Sequence, residues 1–194
     1  MTRRDEIVTA ARELCMREGL DALRMRRVAD AVGITAPAIY RHFAGKEELV
    51  EAVVAGANEV LGRYLRRSLD GADPMSRLEL LVSALLEFSL TERNDYEILF
   101  IVGGRLYPNR LPLAQRSPNF VFWLDRIREC IDTGALRADL DPVLTGISMW
   151  AQIQGLVALH LQGRFGNDEE QFRQVFRDST ALFLDSLSYE QTAE

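Results

Sequence analysis

Apolar residues recur along this chain every three to four positions, and they almost never alternate as a strand would require. The first run covers Arg3 to Glu18. Ile7, Ala10, Ala11, Leu14 and Cys15 share one face there, and Gly19 stands where a C-terminal cap belongs. A second helix is predicted from about Met25 to Val32, closed by Gly33. Thr35 reads as the N-cap of a third, short helix, with Pro37 tolerated in its first turn. A fourth begins after Gly45 and runs over about 46–67 through Leu49, Val53 and Val60.

The same punctuation continues. Asp73-Pro74 is a cap followed by a first-turn proline and opens a helix to about Leu90. A shorter segment spans Asp95 to Val102 and stops at Gly103-Gly104. Pro108 and Pro112 make Arg105 to Arg116 a loop or broken turn. Helices follow at about Pro118–Thr133, Pro142–Gln162 and Asp168–Leu187, stopped by Gly134, Gly163 and Gly166. The fold class is therefore all-α, with about nine helices.

Composition narrows the class further. The chain has 194 residues, 47% hydrophobic and 27% charged, which is ordinary for a globular protein with a substantial core. The most apolar stretch, Gly146 to Leu161, is interrupted by Gln152 and Gln154 and reads as too short for a bilayer span. Arg3-Arg4 is followed by Asp5 and Glu6 rather than an apolar region, so it is not an export signal. Cys15 and Cys130 lack metal or redox spacing and read as buried free thiols. A cytoplasmic protein without a membrane partner is expected.

The net charge of −6 argues against a uniformly basic nucleic-acid binder, but it hides an asymmetry. Residues 1–46 carry a balance of +3 and the remainder −9. Between Arg24 and Lys46, five cations face one acid, Asp30. An acidic body with one small basic end suits contact with a polyanion at that end.

That basic stretch, "RMRRVADAVGITAPAIYRHFAGK", has a helix-turn-helix pattern. Val28, Ala29, Ile34 and Ile39 are the apolar positions where two short helices meet, Gly33 permits a sharp exit from the first, and Phe43 plugs the second. Ala36, Pro37, Ala38, Tyr40, Arg41 and His42 are left facing outward. Small residues at a recognition helix's start let its backbone approach base edges, and Arg41 has the fork for guanine or phosphate. Tyr40, His42 and Lys46 are phosphate-anchor candidates, and Thr35 is both a cap and a phosphate-ligand candidate.

The pattern extends into "FAGKEELVEAVV". The whole run "GLDALRMRRVADAVGITAPAIYRHFAGKEELVEAVV" resembles the DNA-binding domain of the TetR family of one-component transcriptional regulators. The resemblance covers about the first 55 residues; later helices match in number, length and general pattern. It implies a homodimer that binds a palindromic double-stranded DNA operator and releases it when a small molecule enters the C-terminal bundle. It also implies phosphate contacts from Thr35, Tyr40, His42 and Lys46, with Ala36, Pro37, Ala38 and Arg41 near the bases. One position departs from the family pattern. The residue opening the second helix, often Thr or Ser, is here Arg24, so Arg24 or Arg26 would have to supply that phosphate contact. The expected division is a DNA-binding domain at 1–47 and a ligand-binding and dimerisation domain at 48–194, linked by the fourth helix.

The body offers architecture and little chemistry. Pro142–Gln162 is apolar nearly all round, which predicts burial on one side in the monomer and on the other against a partner subunit. The last helix shows Phe172, Val175, Phe176, Ser179, Leu182, Phe183 and Leu187 as a stripe, and the resemblance implies that these two helices form the dimer interface. Effector-pocket candidates are Phe88, Tyr96, Phe100, Trp123, Ile127, Trp150 and Gln154, for a mainly apolar or aromatic ligand, although each has core packing as its plainer reading. No nucleophile with a base, phosphate-binding glycine loop, metal-spaced cluster or cofactor motif is evident, so no enzyme is expected. The competing readings are a small-molecule-binding scaffold without sequence-specific DNA control, and an activator.

Overall fold

A computed structural model describes residues 2–19, 23–102, 117–166 and 168–188. These contain nine α-helices and no strand. They are α1 (Arg3–Glu18), α2 (Met25–Ala31), α3 (Ala36–Ile39), α4 (Lys46–Arg66), α5 (Pro74–Thr91), α6 (Arg93–Tyr96), α7 (Pro118–Asp132), α8 (Pro142–Leu161) and α9 (Glu169–Leu187). The chain divides into two compact units. One comprises Met1–Val60 with Glu92–Arg110, the other Leu61–Thr91 with Leu111–Glu194. Helix α4 is continuous across the division at Val60. The expected stop at Gly103-Gly104 and the proline-broken stretch to Arg116 lie outside the described residues.

The first unit is built on a box at the start of α1. Thr2 N–H donates to Asp5 Oδ2 at 2.7 Å and Asp5 N–H donates back to Thr2 Oγ1 at 3.2 Å. Those bonds hold the Asp5 carboxyl below its usual range. Ile7, Ala11, Leu14 and Cys15 then meet Val28, Ala29, Ile39, Phe43, Leu49 and Val53 in one core. Each fully buried side chain of leucine size contributes about 1.5–3 kcal/mol. Gly33 has φ +68, and Ile34 N–H donates to Ala29 O at 3.0 Å, so the chain reverses sharply between α2 and α3. Ile34 itself is half-buried.

The second chain segment of this unit starts earlier than the sequence indicates. It opens at Arg93 as α6 and continues as a wider π-type turn from Glu97 to Val102. Asp95 explains the attachment. Its side chain is 2% exposed and accepts both oxygens' worth of bonds from the Arg12 guanidinium of α1. Ile98 enters the same core. A pairing between residues 83 positions apart has no local signal.

In the second unit Asp73 caps α5, accepting from Ser76 N–H at 2.9 Å. Helices α5, α7, α8 and α9 turn Leu81, Phe88, Trp123, Ile127, Ile153 and Phe176 inward. Gly146 is needed for space, because a Cβ there would lie 2.7 Å from Leu124 Cδ2, so α7 and α8 approach closely at this point. Gln152 Nε2 donates to Ser179 O at 2.8 Å, tying α8 to α9. Cys15 and Cys130 are buried free thiols, and burial pushes the Cys130 thiol up to about 11.

One expectation for the last helices changes, on α9. Helix α8, close to its expected bounds, is 20 residues long and apolar enough by length and composition alone to cross a membrane, a test that a core helix of a folded bundle also passes. Its stripe of Gly146, Met149, Ile153 and Val157 is nevertheless packed inside this unit, while Val143, Leu144 and Ile147 are exposed. The buried stripe of α9 is Phe172, Phe176, Thr180 and Leu184, at i, i+4 spacing. Leu182 belongs to the other side and is 73% exposed.

Candidate nucleic-acid interface

The ten residues singled out for DNA contact all lie in the first unit, on α2, α3, the turn after α3 and the start of α4. Arg24 is the N-cap of α2 and makes no side-chain capping bond, as its departure from Thr or Ser predicts. Arg24 and Arg26 are exposed. Thr35 caps α3 through its backbone conformation alone and leaves its hydroxyl uncommitted to the helix. Pro37 is exposed, with Ala36 and Ala38 half-buried on either side.

Helix α3 is four residues long, but its turn does not stop there. His42 N–H and Phe43 N–H both donate to Ile39 O, at 2.9 and 3.1 Å. This carries Tyr40, Arg41 and His42 round in helical fashion while Ile39 and Phe43 are buried. Tyr40 is 54% exposed, a large aromatic residue in water on a surface of small side chains. Lys46, the only lysine in the chain, opens α4.

Charge pairing distinguishes these cations from their neighbours. Among the described residues, Arg24, Arg26, Arg41 and Lys46 have no carboxylate partner. Arg27, counted in the same basic stretch, is engaged: its guanidinium donates to both Glu18 oxygens, at 2.6 and 2.7 Å. That bidentate bond holds the Glu18 carboxyl below its usual range. A cation left unpaired on a surface is free to neutralise an external phosphate, whereas a paired one must first release its partner.

The effector-pocket candidates fall into both units. Tyr96 and Phe100 belong to the first, where their rings lie 5.0 Å apart. Phe88, Trp123, Ile127, Trp150 and Gln154 belong to the second. Phe88, Trp123 and Ile127 are buried, and Trp150 and Gln154 half-buried. Gln152, the other conspicuous amide, is satisfied by α9. Trp123 Nε1 is enclosed with no hydrogen-bond partner among the described residues. No group of three or more His, Cys, Asp or Glu among the described residues is arranged to hold a metal.

A short helix pair with an outward cationic and aromatic face, followed by a helical bundle, defines a helix-turn-helix DNA-binding regulator. Known proteins share this arrangement. The family described as "Bacterial regulatory proteins, tetR family" matches residues 7–53. The HTH-type transcriptional repressor KstR2 of Mycobacterium tuberculosis is 28% identical over 152 residues, covering 72% of each chain. The nucleoid occlusion factor SlmA of Marinobacter nauticus is 29% identical over 165 residues, covering 84% of this chain and 82% of its own. Among solved structures, a Rhodococcus sp. RHA1 protein of unknown function superimposes with TM-score 0.82 at 18% identity, over 97% of both chains. The ketosteroid transcriptional regulator KstR2 of M. tuberculosis follows with TM-score 0.62 at 25% identity, over 97% of this chain and 96% of its own. The match to the TetR family thus covers residues 7–53, and the transcriptional repressor KstR2 is similar over most of the chain.

Proposed function

We propose that the protein is a homodimeric repressor acting in the cytoplasm, which binds a palindromic operator and is released by a small, mainly apolar or aromatic effector. The observation that carries the DNA half is the set of unpaired cations, Arg24, Arg26, Arg41 and Lys46, around the exposed Tyr40. Thr35, Tyr40, His42 and Lys46 are assigned to phosphates, with Arg24 or Arg26 replacing the usual hydroxyl at the start of α2. Ala36, Pro37, Ala38 and Arg41 are assigned to base edges. Residues 1–47 form the DNA-binding part in this reading, and 48–194 the regulatory part.

The dimer is assigned to α8 and α9. Both leave large aliphatic side chains in water, with Leu144 at 64% and Leu182 at 73% exposure, which a symmetric partner would cover. The effector is assigned to the second unit near Phe88, Trp123, Ile127, Trp150 and Gln154. Their mostly apolar character, the unpartnered Trp123 indole and the likeness to a ketosteroid regulator support a ligand with one hydrogen-bond acceptor on an apolar frame. Helix α4, continuous from one unit into the other, is the proposed lever. Effector binding would favour a dimer whose recognition helices no longer sit one DNA turn apart, about 34–36 Å.

The test is capture of genomic fragments by the purified protein at two salt concentrations, followed by sequencing. Recovery of a palindrome that Tyr40→Ala no longer retains supports the proposal, and salt-sensitive binding with no shared sequence contradicts it. The likeness to a nucleoid occlusion factor motivates a second reading, which palindromes scattered away from promoters would favour.

A further inference from the structure

Two side chains beside the proposed interface are not part of it: Glu48 bonds its backbone, and Arg4 touches both Glu48 and the ring of Phe43. Ala44 N–H donates to Glu48 Oε2 at 2.7 Å. The guanidinium of Arg4 lies 4.5 Å from the centre of the buried Phe43 ring, and its Nη2 is 3.4 Å from Glu48 Oε1. Residues Phe43, Ala44 and Gly45 are the short link between Tyr40–His42 and Lys46. The N–H groups at a helix start have no internal partner, and a carboxylate three residues into the helix that reaches back fixes the entering chain. Arg4 and Glu48 are both exposed, so their ion pair contributes little to stability. Their contacts constrain a turn instead.

We infer that Glu48, steadied by Arg4 over Phe43, is a positioning residue for DNA recognition. It sets the 43–45 turn so that Tyr40, His42 and Lys46 reach the phosphate backbone together. The inference rests on the proposed role of those three residues. It makes a prediction opposite to simple electrostatics. A carboxylate next to a polyanion repels it, so deleting the charge alone strengthens binding. Glu48→Ala removes both the charge and the acceptor for Ala44 N–H, whereas Glu48→Gln removes the charge and keeps an acceptor.

The experiment measures operator and random-duplex affinity of the full chain as wild type, Glu48→Ala, Glu48→Gln and Arg4→Ala at several salt concentrations. Amide exchange at Ala44 is followed in parallel. Glu48→Ala is expected to weaken operator binding roughly three- to tenfold, as misplacement of a contact group does, and to speed exchange at Ala44. Glu48→Gln is expected to restore both, binding at least as tightly as wild type. Arg4→Ala is expected to weaken operator binding with an unchanged salt slope. Binding by Glu48→Ala as tight as by Glu48→Gln overturns the inference. So does a salt slope lowered by about 0.9 in Arg4→Ala, which would make Arg4 a phosphate ligand. If the wild type shows no operator preference while Ala44 exchange still depends on Glu48, the DNA reading fails and this role with it.

Discussion

The two units differ in what they leave exposed. In the second, several cations are paired within the unit: Arg77 with Glu129, Arg128 with Asp125, and Arg173 with Glu87 and Glu169. Arg63, Arg66 and Arg164 are exposed there without a carboxylate partner among the described residues, but its last two helices also leave Leu144, Ile147 and Leu182 in water. The first unit buries most of its apolar groups, Met16 and Ile101 excepted, and leaves Arg24, Arg26, Arg41 and Lys46 without a carboxylate partner around α2, α3 and the start of α4. Its own internal ion pair joins the buried Asp95 to a partly exposed Arg12. An unsatisfied charge and an unsatisfied hydrocarbon call for different partners. The first unit is chemically suited to a polyanion and the second to another protein surface.

The largest effect is expected where the apolar face is charged. Leu144→Glu combined with Leu182→Glu should weaken the dimer by about 4 kcal/mol or more, if these are central interface positions. Helical content should be unchanged, since both side chains are exposed in one chain. Sedimentation at micromolar concentration and operator binding report the result together. A dimer that survives both substitutions would remove the contrast drawn above. Next in size is Asp95→Ala, which leaves the Arg12 guanidinium partly buried and unpaired. It should cost about 2–4 kcal/mol in urea unfolding, below the full range because Arg12 retains some solvent access. A loss under 1 kcal/mol would mean that the pair is no anchor for α6.

These positions also show how far the sequence was legible. Arg3–Glu18 and the capping of α5 by Asp73 follow from periodicity and local cap chemistry, because both are decided within four residues. The outward residues of the helix-turn-helix are legible for the same reason: Ile39 and Phe43 anchor the turn and Tyr40 to His42 have only the outside left. Asp95 was invisible, since its partner is 83 positions away. The stripe read on α9 joined two faces: Phe172 and Phe176 pack inside the unit while Leu182 stays exposed, and only packing decides which apolar face is buried. Arg27 looked like part of the basic surface until Glu18 was seen to hold it. The G-K-E-E run did carry a signal for Glu48 as a reach-back carboxylate.

Within the DNA-facing surface the predictions separate reading from holding. Arg41→Ala should relax preference at one base position by roughly 1–3 kcal/mol, measured by binding to a library of single-base operator variants. Equal losses on operator and random DNA would reassign Arg41 to the backbone. Lys46→Ala should weaken all sequences alike, with the salt slope lowered by about 0.9. Because Lys46 is the only lysine, an amine-reactive reagent offers a direct check: DNA should protect this one side chain, and protection absent at saturation would exclude the contact.

The smallest effect tests whether pairing really decides which cations serve DNA. Glu18→Gln removes the bidentate partner of Arg27 at an exposed site. Freeing a cation and deleting a negative charge act in the same direction, so binding should tighten by about two- to threefold at low salt and return to the wild-type value near 1 M, where screening extends only about 3 Å. Acid should mimic the substitution. The bond to Arg27 holds the Glu18 carboxyl below its ordinary value of 4.5, so the pair's contribution is present above that pH and is lost as pH falls through the lowered value. The wild-type and Glu18→Gln proteins should therefore converge only as pH falls through that lowered value. If Glu18→Gln binds DNA no better at low salt and neutral pH, Arg27 points away from the path of the duplex. The unpaired state of Arg24, Arg26, Arg41 and Lys46 would then matter only through where they sit.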